Sequence, residues 1–179
     1  MICPGPYSRF EAHYYGVMAV RTAQAVAQAL ADMQPANLLL GSAPLDIGAS
    51  RRQTLPDGTM TIGVDLSRPR LPEVTTWTLR RENAPAIMLW SIPLHGTTVT
   101  AENLYISSEW MGSTVRQFEA QEPGVLAVFL QGCSGDQNPY REQRSFEQMN
   151  SHGAAAAHAL KEALAGSVKA RALPLRSLR

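Results

Sequence analysis

Two cysteines, Cys3 and Cys133, are all that 179 residues contain. They are too few for a disulfide scaffold and too far apart for a zinc knuckle, a composition expected of a reducing compartment. Charge is equally thin. Sixteen Lys and Arg against fifteen Asp and Glu leave a net charge of +1, so no basic stripe invites nucleic acid and no polybasic segment invites a membrane surface. The one basic cluster, Lys169, Arg171, Arg176 and Arg179, is interleaved with Leu and Pro and reads as a solvated end. No apolar run approaches the roughly 18 residues that a transmembrane helix needs, and no charged-then-apolar leader opens the chain. The chain as it stands is therefore expected to be cytoplasmic, with secretion of a longer parent left open. Also missing are G-x-x-x-x-G-K-[ST], G-x-G-x-x-G and G-x-S-x-G, which removes the nucleotide P-loop, the dinucleotide fingerprint and the nucleophile elbow.

What is there suffices for one core. At 45% hydrophobic the chain reads as one domain, residues 1–179, of α/β class, with a mixed sheet whose buried central strands are flanked by helices. The stretch Val125 to Pro139, V-L-A-V-F-L-Q-G-C-S-G-D-Q-N-P, organises the rest. Six apolar residues predict a strand buried on both faces. Gly132 and Gly135, followed by Asp136, Asn138 and Pro139, predict a tight loop with uncovered N–H groups, and such loops at strand ends are where α/β proteins place chemistry. Ala86 to Leu94 reads as a second central strand, paired with Val74 to Arg80 across the turn Glu82-Asn83-Ala84-Pro85.

Around these strands, an amphipathic helix is expected over about 11–33, ended by Pro35. A short strand within Asn37 to Ile47 and a hairpin about Pro56-Asp57-Gly58 follow. A helix to about Gln121, capped by Ser107 or Ser108, has Met111, Val115 and Phe118 as its apolar stripe. A last helix runs through about Ala165 from a Ser145–Gln148 capping box, and Val168 to Leu175 reads as an edge strand. The Gly132 to Asn138 loop and His95 are expected at one end of the sheet, because a strand–helix–strand crossover returns the second strand parallel to the first. His95 leaves its strand into the small polar run G-T-T-V-T, a position that suits metal binding or proton transfer. His152 and His158 are six apart, hence on opposite faces of their helix, and with His13 are assigned to structure or solvent.

In order along the chain, W-S-I-P-L-H-G-T-T, E-N-L-Y-I-S-S-E-W-M-G and F-L-Q-G-C-S-G-D-Q-N-P resemble the neutral and alkaline, non-lysosomal ceramidase family and its bacterial ceramidase-like relatives. The resemblance implies a zinc-dependent hydrolase of amide bonds acting on a small-molecule or lipid amide, and an incomplete ceramidase-like catalytic domain. His95 then matches a zinc-ligand histidine, and Arg51 the arginine of a substrate-contacting loop. Asp136 matches the aspartate of the G-D motif. Asn138 stands where ceramidases have a serine implicated in catalysis and ceramidase-like proteins often have asparagine; without that hydroxyl, a metal-activated water would have to attack. Gly5-Pro6 matches the end of the family's H-T-H-S-G-P, which puts Met1 on one histidine and Cys3 on the other. The family's later Glu and Tyr ligands lie well past the G-D loop, and about 40 residues follow that loop here.

Catalytic zinc takes about three protein ligands. With His95 as the one matched ligand, weak zinc binding and no hydrolysis by this chain alone are expected. Three readings stay open: a zinc amidohydrolase truncated at both ends, a pseudoenzyme or lipid-binding module that has lost the metal, and an α/β domain that binds a small anion through Gly132, Gly135 and nearby arginines. Substrate identity and oligomeric state are not legible, and a homo-oligomer is compatible with the sequence.

Overall fold

A computed structural model describes residues 9–100 and 103–171. The chain divides into two units, at Pro35 and Ala36. The first contains α1, Arg9–Ala31, a 23-residue helix on which Tyr15, Met18, Thr22, Ala25 and Ala29 recur at helical spacing, as the periodicity predicts. The second contains everything that positions a site.

Its elements run β1 (Ala36–Pro44), β2 (Gly48–Thr54), β3 (Met60–Asp65), β4 (Glu73–Arg81), β5 (Ala86–Ile92), α2 (Glu109–Gln121), β6 (Val125–Gln131), β7 (Gln137–Pro139), α3 (Phe146–Ala165) and β8 (Val168–Lys169). They form a mixed five-stranded sheet, β6-β5-β4-β1-β8, and a three-stranded antiparallel sheet, β3-β2-β7. The expected hairpins are present: β4 and β5 pair antiparallel through Thr76↔Trp90, and β2 and β3 flank the Pro-Asp-Gly turn, where Gly58 takes a positive φ of 84°. Strands β5 and β6 are parallel from Ala86↔Val125 to Ile92↔Gln131, joined through α2 as a parallel pair requires.

One face of the large sheet is the core. Val74, Met88, Trp90, Ile92 and Ala127 are buried on it beneath Trp110 and Phe118 of α2 and Met149, Ala156, Leu160 and Ala163 of α3. Trp90, Trp110 and Phe129 meet as an aromatic cluster, with ring centroids 4.6 to 5.9 Å apart. The two helices approach closely because Gly153 faces Ser113, where an added Cβ would lie 2.5 Å from the serine oxygen. The small residues that α3 buries are Gly153, Ala156, Ala157, Ala159 and Ala163, whereas Ala154 and Ala155 are exposed. The cap of α3 is as expected: Ser145 Oγ accepts from Gln148 N at 3.2 Å. The glutamine reaches back to Gln143 N rather than to the serine's own N–H.

Two expectations are corrected. First, β6 is not buried on both faces. It is the outermost of the described strands on its side, and Leu126, Val128 and Leu130 are exposed. They belong to an open apolar face: Leu40, Trp77, Leu89 and Val128 stand in register across four strands. An apolar run bounded by turns does not distinguish a strand covered on both sides from one covered on a single side. Second, the buried stripe of α2 is Trp110, Thr114 and Phe118, with Met111 and Val115 only partly buried. Thr114 hides in the core by donating its hydroxyl to Trp110 O at 2.8 Å. The helix starts from Glu109 at φ 55°, a left-handed conformation that is uncommon for a side-chain-bearing residue. The buried carboxylate compensates by accepting from Val99 N at 2.6 Å and Trp110 N at 3.1 Å.

Candidate functional site

The parallel β5–β6 pair delivers the two segments singled out in the sequence to one place. Because Ile92 is in register with Gln131, Pro93 to His95 leaves the sheet beside Gly132 to Asp136. Gly132 is required there. A Cβ on it would lie 2.9 Å from Pro93 N and Cα and 3.0 Å from Ile92 C, all backbone atoms that cannot yield. Nothing lies within 4 Å of a Cβ on Gly135, so that glycine answers to no crowding.

His95 is fixed from several sides. Its N–H donates to Gln137 O at 3.2 Å, and its carbonyl accepts from the buried Trp110 Nε1 at 2.9 Å. The ring Nδ1 stands 3.5 Å from Ser134 Oγ. Ser134, itself buried, accepts from Gln131 Nε2 at 2.9 Å, and the same amide donates to Leu94 O at 3.1 Å. His95 Nε2 is buried with no hydrogen-bond partner among the described residues. A buried polar atom left unpaired costs about 1–3 kcal/mol, and in a native fold it asks for an explanation.

Asn138 arrives on the small sheet. Strand β7 pairs with β2 through Ala49↔Asn138, which buries Asn138 and leaves its Oδ1, like His95 Nε2, without a partner among the described residues. Arg51, two residues beyond Ala49 on β2, is tied to the loop: its N–H donates to Asp136 O at 2.7 Å and its Nε to Gly135 O at 3.0 Å. The Asp136 side chain is exposed, as is Cys133. Cys3 lies outside the described residues. Thus His95, Arg51, Gly132, Gly135, Asp136 and Asn138 belong to one neighbourhood at the carboxyl ends of β5 and β6.

Sequence reasoning missed two contributors. Ser134 lies in no nucleophile motif, yet it stands beside the His95 ring, and Trp110 holds the histidine carbonyl. His152 has a structural role, as assigned: half-buried, it donates Nε2 to Tyr140 O at 2.7 Å, and Tyr140 N donates to Ile47 O at 2.7 Å, just after the loop. Burial pushes the His152 pKa below the usual histidine range, against opposing contributions from the Tyr140 hydrogen bond and the Glu109 carboxylate. His158 is exposed and pairs with Glu162 at 3.4 Å, in keeping with its assignment to solvent.

The orphaned Nε2 of His95 suits a single ligand atom, but no group of three or more His, Cys, Asp or Glu that could hold a metal ion exists among the described residues. These residues alone do not fit a zinc ion. A cleft of about 700 Å³ lined by Arg80, Glu122, His158, Lys161 and Glu162 lies away from His95, near the start of β5. Within it Lys161 pairs with Glu122 at 3.6 Å and His158 with Glu162 at 3.4 Å. No described helix is long and apolar enough to cross a membrane.

No family model and no curated protein matches the sequence. Solved structures do match the fold. The crystal structure of neutral ceramidase from Pseudomonas aeruginosa aligns with a TM-score of 0.60 and 19% identity over 83% of this chain and 26% of that one. A ceramidase complexed with C2 aligns with a TM-score of 0.62 and 19% identity over 81% of this chain and 25% of the other. The chain thus spans about a quarter of the length of the ceramidases it matches, and its α/β architecture is similar to part of the bacterial neutral ceramidase structure.

Proposed function

We propose that this chain is the portion of a ceramidase-like amide hydrolase that contributes His95 and the Gly132 to Asn138 loop, and that hydrolysis requires further polypeptide. The observation that carries this reading is the pair of buried, unpartnered polar atoms, His95 Nε2 and Asn138 Oδ1. Fold similarity to part of neutral ceramidase supplies the reaction class. In this reading the substrate is a small-molecule or lipid amide. His95 is one ligand of a zinc centre whose other ligands come from outside the described residues. Arg51 and the two glycines shape the substrate side, and Asp136 and Asn138 stand beside the reacting group. The two-cysteine composition supports a reducing, cytoplasmic setting for the chain as it stands.

A second reading, a metal-free binding module on the same framework, is favoured by one observation, the lack of a three-ligand group among the described residues. Zinc content after dialysis, together with hydrolysis of a fluorogenic N-acyl sphingosine, tests both. The 179-residue protein is expected to retain no stoichiometric zinc and to give no turnover. Stoichiometric zinc with turnover lost in His95→Ala would show that the chain is an enzyme by itself. Binding of the lipid amide without zinc would favour the second reading.

A further inference from the structure

The open face of the large sheet carries a charge pattern of its own. Side chains alternate across a sheet, so the buried Val74, Thr76 and Thr78 put Glu73, Thr75, Trp77, Leu79 and Arg81 of β4 on the opposite side. Strand β4 is the middle strand of the five, and Trp77 is its midpoint. Val168, Leu40, Leu89 and Val128 stand in register with Trp77, and Leu38, Ile87 and Leu126 with Leu79. On the other side of that central row, Ser42, Ser91 and Leu130 align with Thr75. Among the described strands, the charges on this face are Glu73 and Arg81, at the two ends of β4, each about 13 Å from Trp77 along the strand. A sheet face left to water is ordinarily polar; this one is apolar over its middle and charged at two ends with opposite sign.

We propose that this face pairs with the same face of a second copy of the chain, sheet on sheet, with the strands of the two copies antiparallel and Trp77 at the centre. Size supports the pairing. Four full strands at about 4.8 Å spacing, each seven residues at about 3.3 Å, span roughly 450 Å² in projection. Accessible surface exceeds its projection, so two such faces together remove about 1,000 Å² or more, where specific interfaces begin. A central tryptophan is the kind of anchor around which interfaces concentrate their energy. Charge selects the partner and the direction. A two-fold pair sets each surface against itself, so charges near the centre would meet their own kind, and the central rows carry none. With the axis along the strands, each end of β4 would face its own like charge. With the axis across the strands, each copy's Glu73 faces the other copy's Arg81, twice over. Arg81 Nε and Nη2 both donate to Pro85 O, at 3.0 and 2.8 Å, which keeps the guanidinium at its end of the strand. The antiparallel pair also sends the two His95 neighbourhoods, which lie at the Ser91 end of the sheet, to opposite ends, so neither covers the other.

Sedimentation velocity of the 179-residue protein over a concentration series, with acrylamide quenching of its tryptophan fluorescence, tests the pairing. Trp90 and Trp110 are fully buried, so Trp77 is the tryptophan that the quencher reaches in a monomer. The expected result is a closed dimer in which Trp77 is shielded, with quenching recovered on dilution, and a monomeric Val128→Lys variant. Glu73→Arg and Arg81→Glu should each weaken the dimer roughly tenfold, and the double exchange should recover the affinity. Thermal melts by circular dichroism show which variants remain folded. If Arg81→Glu loosens the β4–β5 turn and unfolds, Glu73→Gln and Glu73→Arg carry the test alone, with the larger loss expected for the arginine. A monomer at about 100 µM, open-ended association without a dimer, or a dimer unmoved by Val128→Lys overturns the proposal. A monomer with Trp77 shielded overturns it too, by showing the face covered within the chain. A folded double exchange that recovers nothing, or equal losses for Glu73→Gln and Glu73→Arg, overturns the antiparallel arrangement.

Discussion

Trp90 and Trp110 are fully buried neighbours in one aromatic cluster, yet they differ in one respect that a single substitution can expose. Trp110 Nε1 donates to His95 O at 2.9 Å, while Trp90 Nε1 has no partner among the described residues. Replacing either by Phe removes similar apolar volume and leaves a small cavity, on the order of 1–3 kcal/mol in each case. Trp110→Phe additionally strips the His95 carbonyl of its donor, adding about 1 kcal/mol or more, whereas Trp90→Phe removes a donor that was buried unpaired and so recovers part of its own cost. Trp110→Phe should therefore be the more destabilising by roughly 2 kcal/mol, equivalent to several degrees of Tm in a chain of this size, at about 2–4 °C per kcal/mol. Urea titrations followed by far-UV circular dichroism give both values with a common probe. If Trp90→Phe costs as much as Trp110→Phe, the bond to His95 adds nothing net and the argument that the core braces the site is wrong.

His152 supplies a pH prediction. Its folded-state pKa is depressed, chiefly by burial, so above its unfolded value of about 6.5 both states are neutral and it has no effect. As pH falls through that value the unfolded chain takes up a proton that the fold resists, and stability should decline. His152→Gln should flatten the stability profile below about pH 6.5, and an unchanged slope in urea midpoints against pH would refute the assignment. Gly132→Ala should cost about 1–3 kcal/mol because its neighbours are backbone atoms, and Gly135→Ala should change the urea midpoint little; equal losses would contradict the loop geometry. The open sheet face should drive self-association: Val128→Lys should raise the concentration at which light scattering appears, without lowering Tm by more than a few degrees. Unaltered scattering would mean that this face is not the sticky one.

Where local chemistry decides, the sequence was legible. The β4–β5 hairpin, the Ser145 cap and the placing of His95 beside the Gly132 loop all follow from residues close in the chain or from the parallel-strand rule. Where long-range covering decides, it was not. Leu126, Val128 and Leu130 have the composition of buried residues and are exposed, since hydrophobicity states what a residue favours and not what lies above it. Strand β7 is three polar-leaning residues, Gln137–Pro139, made a strand only by pairing with β2. Trp110 directly follows the capping segment and lies outside the Met111, Val115, Phe118 stripe, and the threonine that shares its buried face carries no apolar signature. Ser134 stands in no nucleophile motif. Its bond to His95 bridges 39 positions, which no local pattern reveals.

His95 and Asn138 ride on different sheets, the first at the end of β5 and the second within β7. The two segments that carry them are tied by the backbone bond from His95 N to Gln137 O. Both unpaired atoms are shut away from solvent, so no ligand reaches them in this arrangement. Access requires a local displacement of the segments around them, which are held by that bond, by the Arg51 bonds to Asp136 O and Gly135 O, and by His152 on Tyr140 O. Occupancy of such a site is gated by opening. In stopped-flow mixing the observed association rate should level off as ligand concentration rises, at a plateau equal to the rate at which these segments open.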